Sequence, residues 1–232
     1  MDISIQAPGI GSFEMEINQA MTLGVTFERS AVGVRATTEI RAFSGRMTNP
    51  LAGPVTVSED DIEGELVFTV DDRGHADIVS SPIVASAARA VFNPVSLAHG
   101  MFPMLPADGV GVGESWVDST SYSANEGGNS IEVTWVGTST LVGDTVVDGK
   151  TLTLVRTEAE VSIELAGQLA GVDVEQSMSG PETGFYLWDP VRGAVVYQEA
   201  SRDFTGTVNV AVAPGPMDLS ATQRIRMVLV GG

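Results

Sequence analysis

Cysteine is absent from these 232 residues, lysine occurs once (Lys150) and histidine twice (His75 and His99). The first absence excludes disulfides, thiolate nucleophiles and cysteine-ligated zinc. Cationic side chains are scarce as a class: 12 Lys and Arg stand against 30 Asp and Glu, a formal net charge of −18. A surface of that sign repels phosphate backbones and anionic headgroups, so neither nucleic acid nor an anionic membrane surface is an expected partner. No apolar run approaches the ~20 residues that span a bilayer as a helix. The opening "MDISIQAPGIGSFEMEIN" lacks a basic segment followed by an apolar one, and so reads as a trimmed mature form or a native start rather than as a signal peptide.

Hydrophobic residues make up 43% and charged residues 18%, a balance that calls for a packed core. Their arrangement has a period of two. Phe13, Met15 and Ile17 alternate with Glu14 and Glu16, and Met21, Leu23, Val25 and Phe27 share one side. Val32, Val34, Ala36, Ile40 and Ala42 oppose Arg35, Glu39 and Arg41. Later, Ile131, Val133 and Trp135 alternate with Glu132 and Thr134, while Val155, Ala159, Val161, Ile163 and Leu165 alternate with Arg156, Glu158, Glu160 and Glu164. Ile225, Met227 and Leu229 do so with Arg224 and Arg226. One apolar and one charged face predict antiparallel strands with a single wet side. Hairpin turns are expected at "NEGGN" (125–129), "VGD" (142–144) and "DG" (148–149), where positive φ is needed.

Helix is expected in one place, "SPIVASAARAVFNPVSLAHGMF". Ser81 and Pro82 suit a helix start, Ala85 to Val91 is alanine-rich, Asn93-Pro94 breaks the pattern, and "VSLAHG" offers a second turn closed by Gly100. After it comes "MFPMLP", four apolar side chains stiffened by Pro103 and Pro106. Residues 81–106 therefore read as a helix-plus-strap insert between a first meander (1–80) and a second (107–232), all within a single β domain. The two meanders also look alike: "LVFTVDDRGHADIV" (66–79) lies over "FYLWDPVRGAVVYQ" (185–198) at an offset of 119. Internal duplication and chance likeness between β meanders both account for it.

No catalytic set emerges. His75 in "DDRGHAD", with Asp71, Asp72 and Asp77, reads as a hairpin turn before it reads as a metal or acid–base site. "SEDDIEGE" (58–65) lacks the alternate spacing of a calcium loop and reads as solvated acid. "GVGVGESW" lacks the Lys-Ser/Thr of a phosphate loop. The expectation is a protein that is not an enzyme and carries no cofactor or metal. The apolar residues Phe92, Met101, Phe102, Met104 and Leu105, with Trp135, are the candidate contacts for a hydrophobic ligand. Ordinary core packing is the competing account of the same residues.

"LPADGVGVGESW", the hairpin "VGDTVVDGK" at 142–150 with "TLTLVRTEAEV", and "GFYLWDPVRGAVV" at 184–196 resemble segments of bacterial envelope and lipoprotein-type β proteins. The architecture resembles the LolA/LppX type, a half-barrel whose concave apolar face is covered by helices. That resemblance implies carriage of a lipid or acyl chain in the periplasm or cell envelope. The chain departs from it in having one helical segment and no lipobox cysteine. The fold expected is mainly β, a large curved antiparallel sheet or open half-barrel, with the insert on its apolar face. A structural module that self-assembles or binds a protein through strand edges is the alternative function.

Overall fold

The structure is a computed structural model that describes residues 1–7, 11–31, 33–48, 53–126, 128–169, 172–211, 213 and 215–230. Among the described residues the fold is mainly β, 73% strand and 6% helical, with one large antiparallel sheet of 12 strands, one short helix and no closed barrel. In chain order β1 (Asp2–Ala7), β2 (Gly11–Ser30), β3 (Gly33–Thr48), β4 (Val55–Ser58), β5 (Ile62–Glu63), β6 (Leu66–Val70), β7 (Ala76–Ser80) and β8 (Ile83–Val84) precede the helix α1 (Pro94–Met101). After it come β9 (Ser115–Glu126), β10 (Asn129–Val147), β11 (Lys150–Leu169), β12 (Val172–Asp189), β13 (Ala194–Val210) and β14 (Met217–Val228).

The chain divides into two compact units. The first comprises Met1–Asp2 and Glu14–Leu105, the second Ile3–Phe13 and Pro106–Gly232. The insert thus belongs to the first unit, and the division falls at the end of the strap.

In the first unit the strand order is β7-β6-β3-β2. One edge of β3 is taken along its length by β2. Its other edge receives β4 opposite Ser44–Met47 and β6 opposite Val34–Thr38, so these two short strands lie in line. Between them a 3₁₀ turn at Glu59–Asp61 holds the acidic stretch, where Ser58 N–H donates to Asp61 Oδ2 at 2.9 Å. In the second unit the order β1-β14-β13-β12-β11-β10-β9 is a plain meander. The succession β2, β3, in-line β4 and β6, β7 therefore recurs as β10, β11, β12, β13, with β12 continuous where the first unit is interrupted. Both Arg-Gly pairs fall in hairpin turns. Asp71 Oδ1 accepts the N–H of Arg73 at 2.9 Å, and Asp189 Oδ1 accepts those of Val191 and Arg192 at 2.9 and 3.1 Å.

Two apolar clusters fill the first unit. Phe43, Met47, Val57, Val84, Ala88, Val91 and Phe92 form one, and Ala36, Leu66, Phe68, Val70, Ala76 and Ala98 the other. Leu97 packs against both, so α1 covers the apolar face of β3 and β6 as the insert was expected to do. Phe68 and Leu66 are fully buried, and burying a side chain of that size stabilises by about 1.5–3 kcal/mol.

Four local expectations are corrected. The helix does not run from Pro82 through Val91: Ile83–Val84 is drawn out to pair with β5, and only a 3₁₀ turn forms at Ala88–Ala90. The helix begins where the break was expected, because Asn93 caps it by accepting Ser96 N–H at 2.9 Å and Pro94 needs no donor at the first position. It ends past Gly100, at Met101. Ala42 is exposed and Phe43 buried, because the register between β2 and β3 slips beside Arg41 and one extra residue reverses every later side chain. "VGD" at 142–144 is not a turn: the strand continues through a bulge between Leu141 and Gly143, with Gly143 at φ 134°. The "DG" turn forms with Asp148 at φ 49° and Gly149 at φ 76°. The turn at 125–129 joins β9 to β10, although residue 127, like Val32, lies outside the described residues.

Candidate functional site

The six candidate contact residues divide between the units. Phe92 is 3% exposed and packs on Phe43 with ring centroids 5.2 Å apart. Phe102 meets Phe27 and Phe68 edge-on at 6.0 and 5.9 Å, Met101 joins the same cluster, and Met104 is buried. Leu105 is half-buried and donates its N–H to Arg73 O at 2.8 Å. These five thus close the first unit over its own sheet. Trp135 stands in β10 of the second unit.

Around Trp135 the register builds a second feature. Val133, Ile163, Met178 and Leu219 lie in one cross-strand row, with Trp135 and Val161 in the next. The following row is Gly137, Ala159, Glu182, Arg202 and Gln223. Val133, Val161, Met178, Phe204 and Leu219 are buried, whereas Ile131, Trp135, Ile163 and Leu165 remain half-buried. An accessible apolar strip therefore runs along β10 and β11.

That strip ends at a polar group set into the apolar face. Trp135 Nε1 donates to Glu182 Oε1 at 2.9 Å, Arg202 Nε donates to Glu182 Oε2, and Arg202 Nη1 donates to Gln223 Oε1 at 3.1 Å. Glu182 is 7% exposed. Only small neighbours make this reach possible. A Cβ on Gly137 would stand 2.3 Å from the indole ring and 2.9 Å from Ala159 Cβ, so the ring lies across both toward β12. Pro181, which has no N–H, interrupts the β12–β13 ladder between Ser179 with Thr205 and Glu182 with Arg202. The guanidinium has five donors and these bonds engage two of them, which leaves capacity for an acceptor on a ligand. Further along the same face Tyr186 is buried, which pushes its phenol well above the ordinary value.

The opposite face is polar. Phe185 stacks on Tyr197 with centroids 5.6 Å apart, Arg226 lies 5.4 Å over the Tyr197 ring, and Tyr197 Oη donates to Glu199 at 2.6 Å. The bond to Glu199 raises the Tyr197 pKa. Arg156, Glu158 and Arg224 line a shallow groove beside them.

Sequence reasoning missed Glu182 and Arg202, 20 residues apart in the chain. One signal was present: counting by twos from Met178 puts Glu182 on the apolar side of its strand. Of the other singled-out residues, Asp71, Asp72 and His75 lie in the β6–β7 turn and Asp77 stands in β7. Asp71 accepts from the N–H of His75 at 2.9 Å and its Oδ2 lies 3.0 Å from His75 Nδ1. Burial works to raise the Asp71 carboxyl, but the bonds from His75 and Arg73 outweigh it and hold it below its ordinary value. Gly111 N–H donates to Glu114 at 2.6 Å and Gly113 N–H to Leu141 O at 2.7 Å, so the glycine stutter leads into β9. Among the described residues no three His, Asp or Glu side chains converge as metal ligands, and no helix is long and apolar enough to cross a membrane.

Comparison with protein-family models, with curated proteins and with solved structures finds no match to this chain.

Proposed function

We propose that the protein is a non-enzymatic binding protein for an acyl chain or similar amphipathic small molecule, which lies along β10 and β11 of the second unit. The observation that carries this reading is the half-buried strip Ile131, Trp135, Ile163 and Leu165, ending at the Glu182–Arg202–Gln223 group. Ligand sites combine a mostly apolar lining with a few fixed polar groups, and this strip has both. The apolar chain packs on the isoleucines, the leucine and the indole, while a carboxylate or ester oxygen at its head accepts from the remaining guanidinium donors. Phe92, Met101, Phe102 and Met104 serve packing of the first unit in this reading. A location in the bacterial envelope, where free and protein-bound acyl chains are handled, accords with it.

The test is native mass spectrometry of the purified chain with solvent extraction of whatever it carries, followed by titration with oleate monitored through tryptophan emission. A lipid-sized adduct, and an oleate response lost in Trp135→Leu and weakened in Arg202→Met, are expected. A protein without adduct whose emission ignores oleate overturns the proposal.

A further inference from the structure

We propose that the free edge of β9 is a strand-addition site for an extended, cationic segment of a partner protein. β9 ends the strand order of the second unit and pairs, among the described residues, with β10 alone. The pairing runs without a register shift from Glu126 opposite Asn129 to Ser115 opposite Thr140. Leu141 donates to Glu114 O and accepts from Gly113 N–H. Counting by twos along β10, the backbones of Ser139, Gly137, Trp135, Val133 and Ile131 therefore face β9. Their partners are Trp116, Asp118, Thr120, Tyr122 and Ala124. The alternate groups, those of Val117, Ser119, Ser121 and Ser123, point away from the sheet. Asp118 Oδ1 takes the Ser119 N–H at 2.7 Å, which leaves the N–H groups of Val117, Ser121 and Ser123 as donors for an added strand.

Proteins guard such edges with proline, lysine, bulges or brevity. The five-residue β7 is short. The twelve-residue β9 has no proline, lysine or register shift, and its charge on the Trp135 face, Asp118 opposite Gly137, repels an anionic strand while admitting a cationic one. Beside the edge, Val117 is 68% and Val136 47% exposed, and the register sets them diagonally across β9 and β10 on the polar face. They form an apolar step against which every second side chain of an added strand packs.

Charge selects the occupant. β9 and β10 together carry acidic residues at 118, 126, 132 and 144 and no Lys or Arg, in a chain of net charge −18. A second copy of the same edge brings like charges into register, which is destabilising. A strand alternating cationic and apolar residues meets carboxylates and valines instead.

The probe is a short peptide alternating valine and lysine, mixed with the full chain in low-salt buffer, with a valine–glutamate peptide as control. Expected are binding by the lysine peptide alone, weakening as salt rises, and slowed amide exchange at Val117, Ser121 and Ser123. Ser121→Pro removes a donor that faces away from β10, so β9–β10 pairing survives while peptide affinity falls about tenfold or more. Val117→Lys weakens binding without touching the backbone and serves if the proline variant does not fold. Absence of binding, equal binding by a folded Ser121→Pro variant, slowed exchange at another segment, or pairing of two copies through β9 overturns the proposal.

Discussion

Leu105 donates its backbone N–H to the carbonyl of Arg73 at 2.8 Å, which straps the end of the insert onto the β6–β7 turn. Beneath this bond Gly74 sits at φ 91°, and a Cβ there would stand 2.1 Å from Pro103 O. Gly74→Ala combines an unfavourable φ with a backbone clash and is expected to lower stability by about 2–4 kcal/mol. Gly193→Ala, in the equivalent turn at φ 63° with nothing within 4 Å of the added atom, is expected to cost about 1 kcal/mol. Urea unfolding of the two variants measures the difference.

Phe92→Ala is expected to destabilise by about 3–5 kcal/mol, the cost of a cavity in a packed cluster, and to leave oleate binding unchanged. Chemical denaturation and the emission titration report the two effects separately.

Removing Glu182 alone takes the carboxylate partner from the half-buried Arg202 guanidinium. Glu182→Leu is expected to cost about 3 kcal/mol, and the double variant Glu182→Leu/Arg202→Met to recover most of that loss. Unfolding free energies of the singles and the double form the test, with Trp135 emission registering the lost indole bond.

Thr38 is fully buried and its Oγ1 has no hydrogen-bond partner. Thr38→Val keeps the shape and removes an unsatisfied polar atom, so it is expected to raise stability by roughly 1 kcal/mol. A higher urea midpoint at unchanged slope is the signature.

Burial lowers the pKa of His99 in α1, the Asp77 charge works to raise it and the His75 charge adds to the lowering. The folded value lies below the unfolded value of about 6.5, so the unfolded chain binds the proton first. The stability His99 contributes is intact above pH ~6.5 and is lost as pH falls through the folded value. Asp71, also lowered, adds a second loss below the unfolded carboxyl value of about 3.9. His99→Gln is expected to flatten the first step and leave the second, in unfolding curves recorded from pH 7 to 3.

The period-two pattern revealed β11 from Val155 to Leu165 almost residue by residue, because its pairing with β12 is unbroken there, whereas Leu152, on the other face, is buried as well. It failed where one residue is inserted: beside Arg41 the phase reverses, and at Gly143 a bulge imitates a turn. The helix position turned on whether Ile83–Val84 finds a strand partner in Ile62–Glu63, a pairing no local pattern announces. Glu182 and Arg202 were harder still. Each is an ordinary charged residue in its own segment, and only the β12–β13 register makes them a pair beneath Trp135.

Lys150 opens β11 directly after the Asp148-Gly149 turn. As the chain's sole lysine, it gives amine-directed chemistry one side-chain address, at the tip of the hairpin that joins β11 to β10, the strand that carries Trp135. A dye or a surface tether placed there marks a known end of the second unit, and an acceptor fluorophore at that tip can take tryptophan emission as its donor signal with no residue changed.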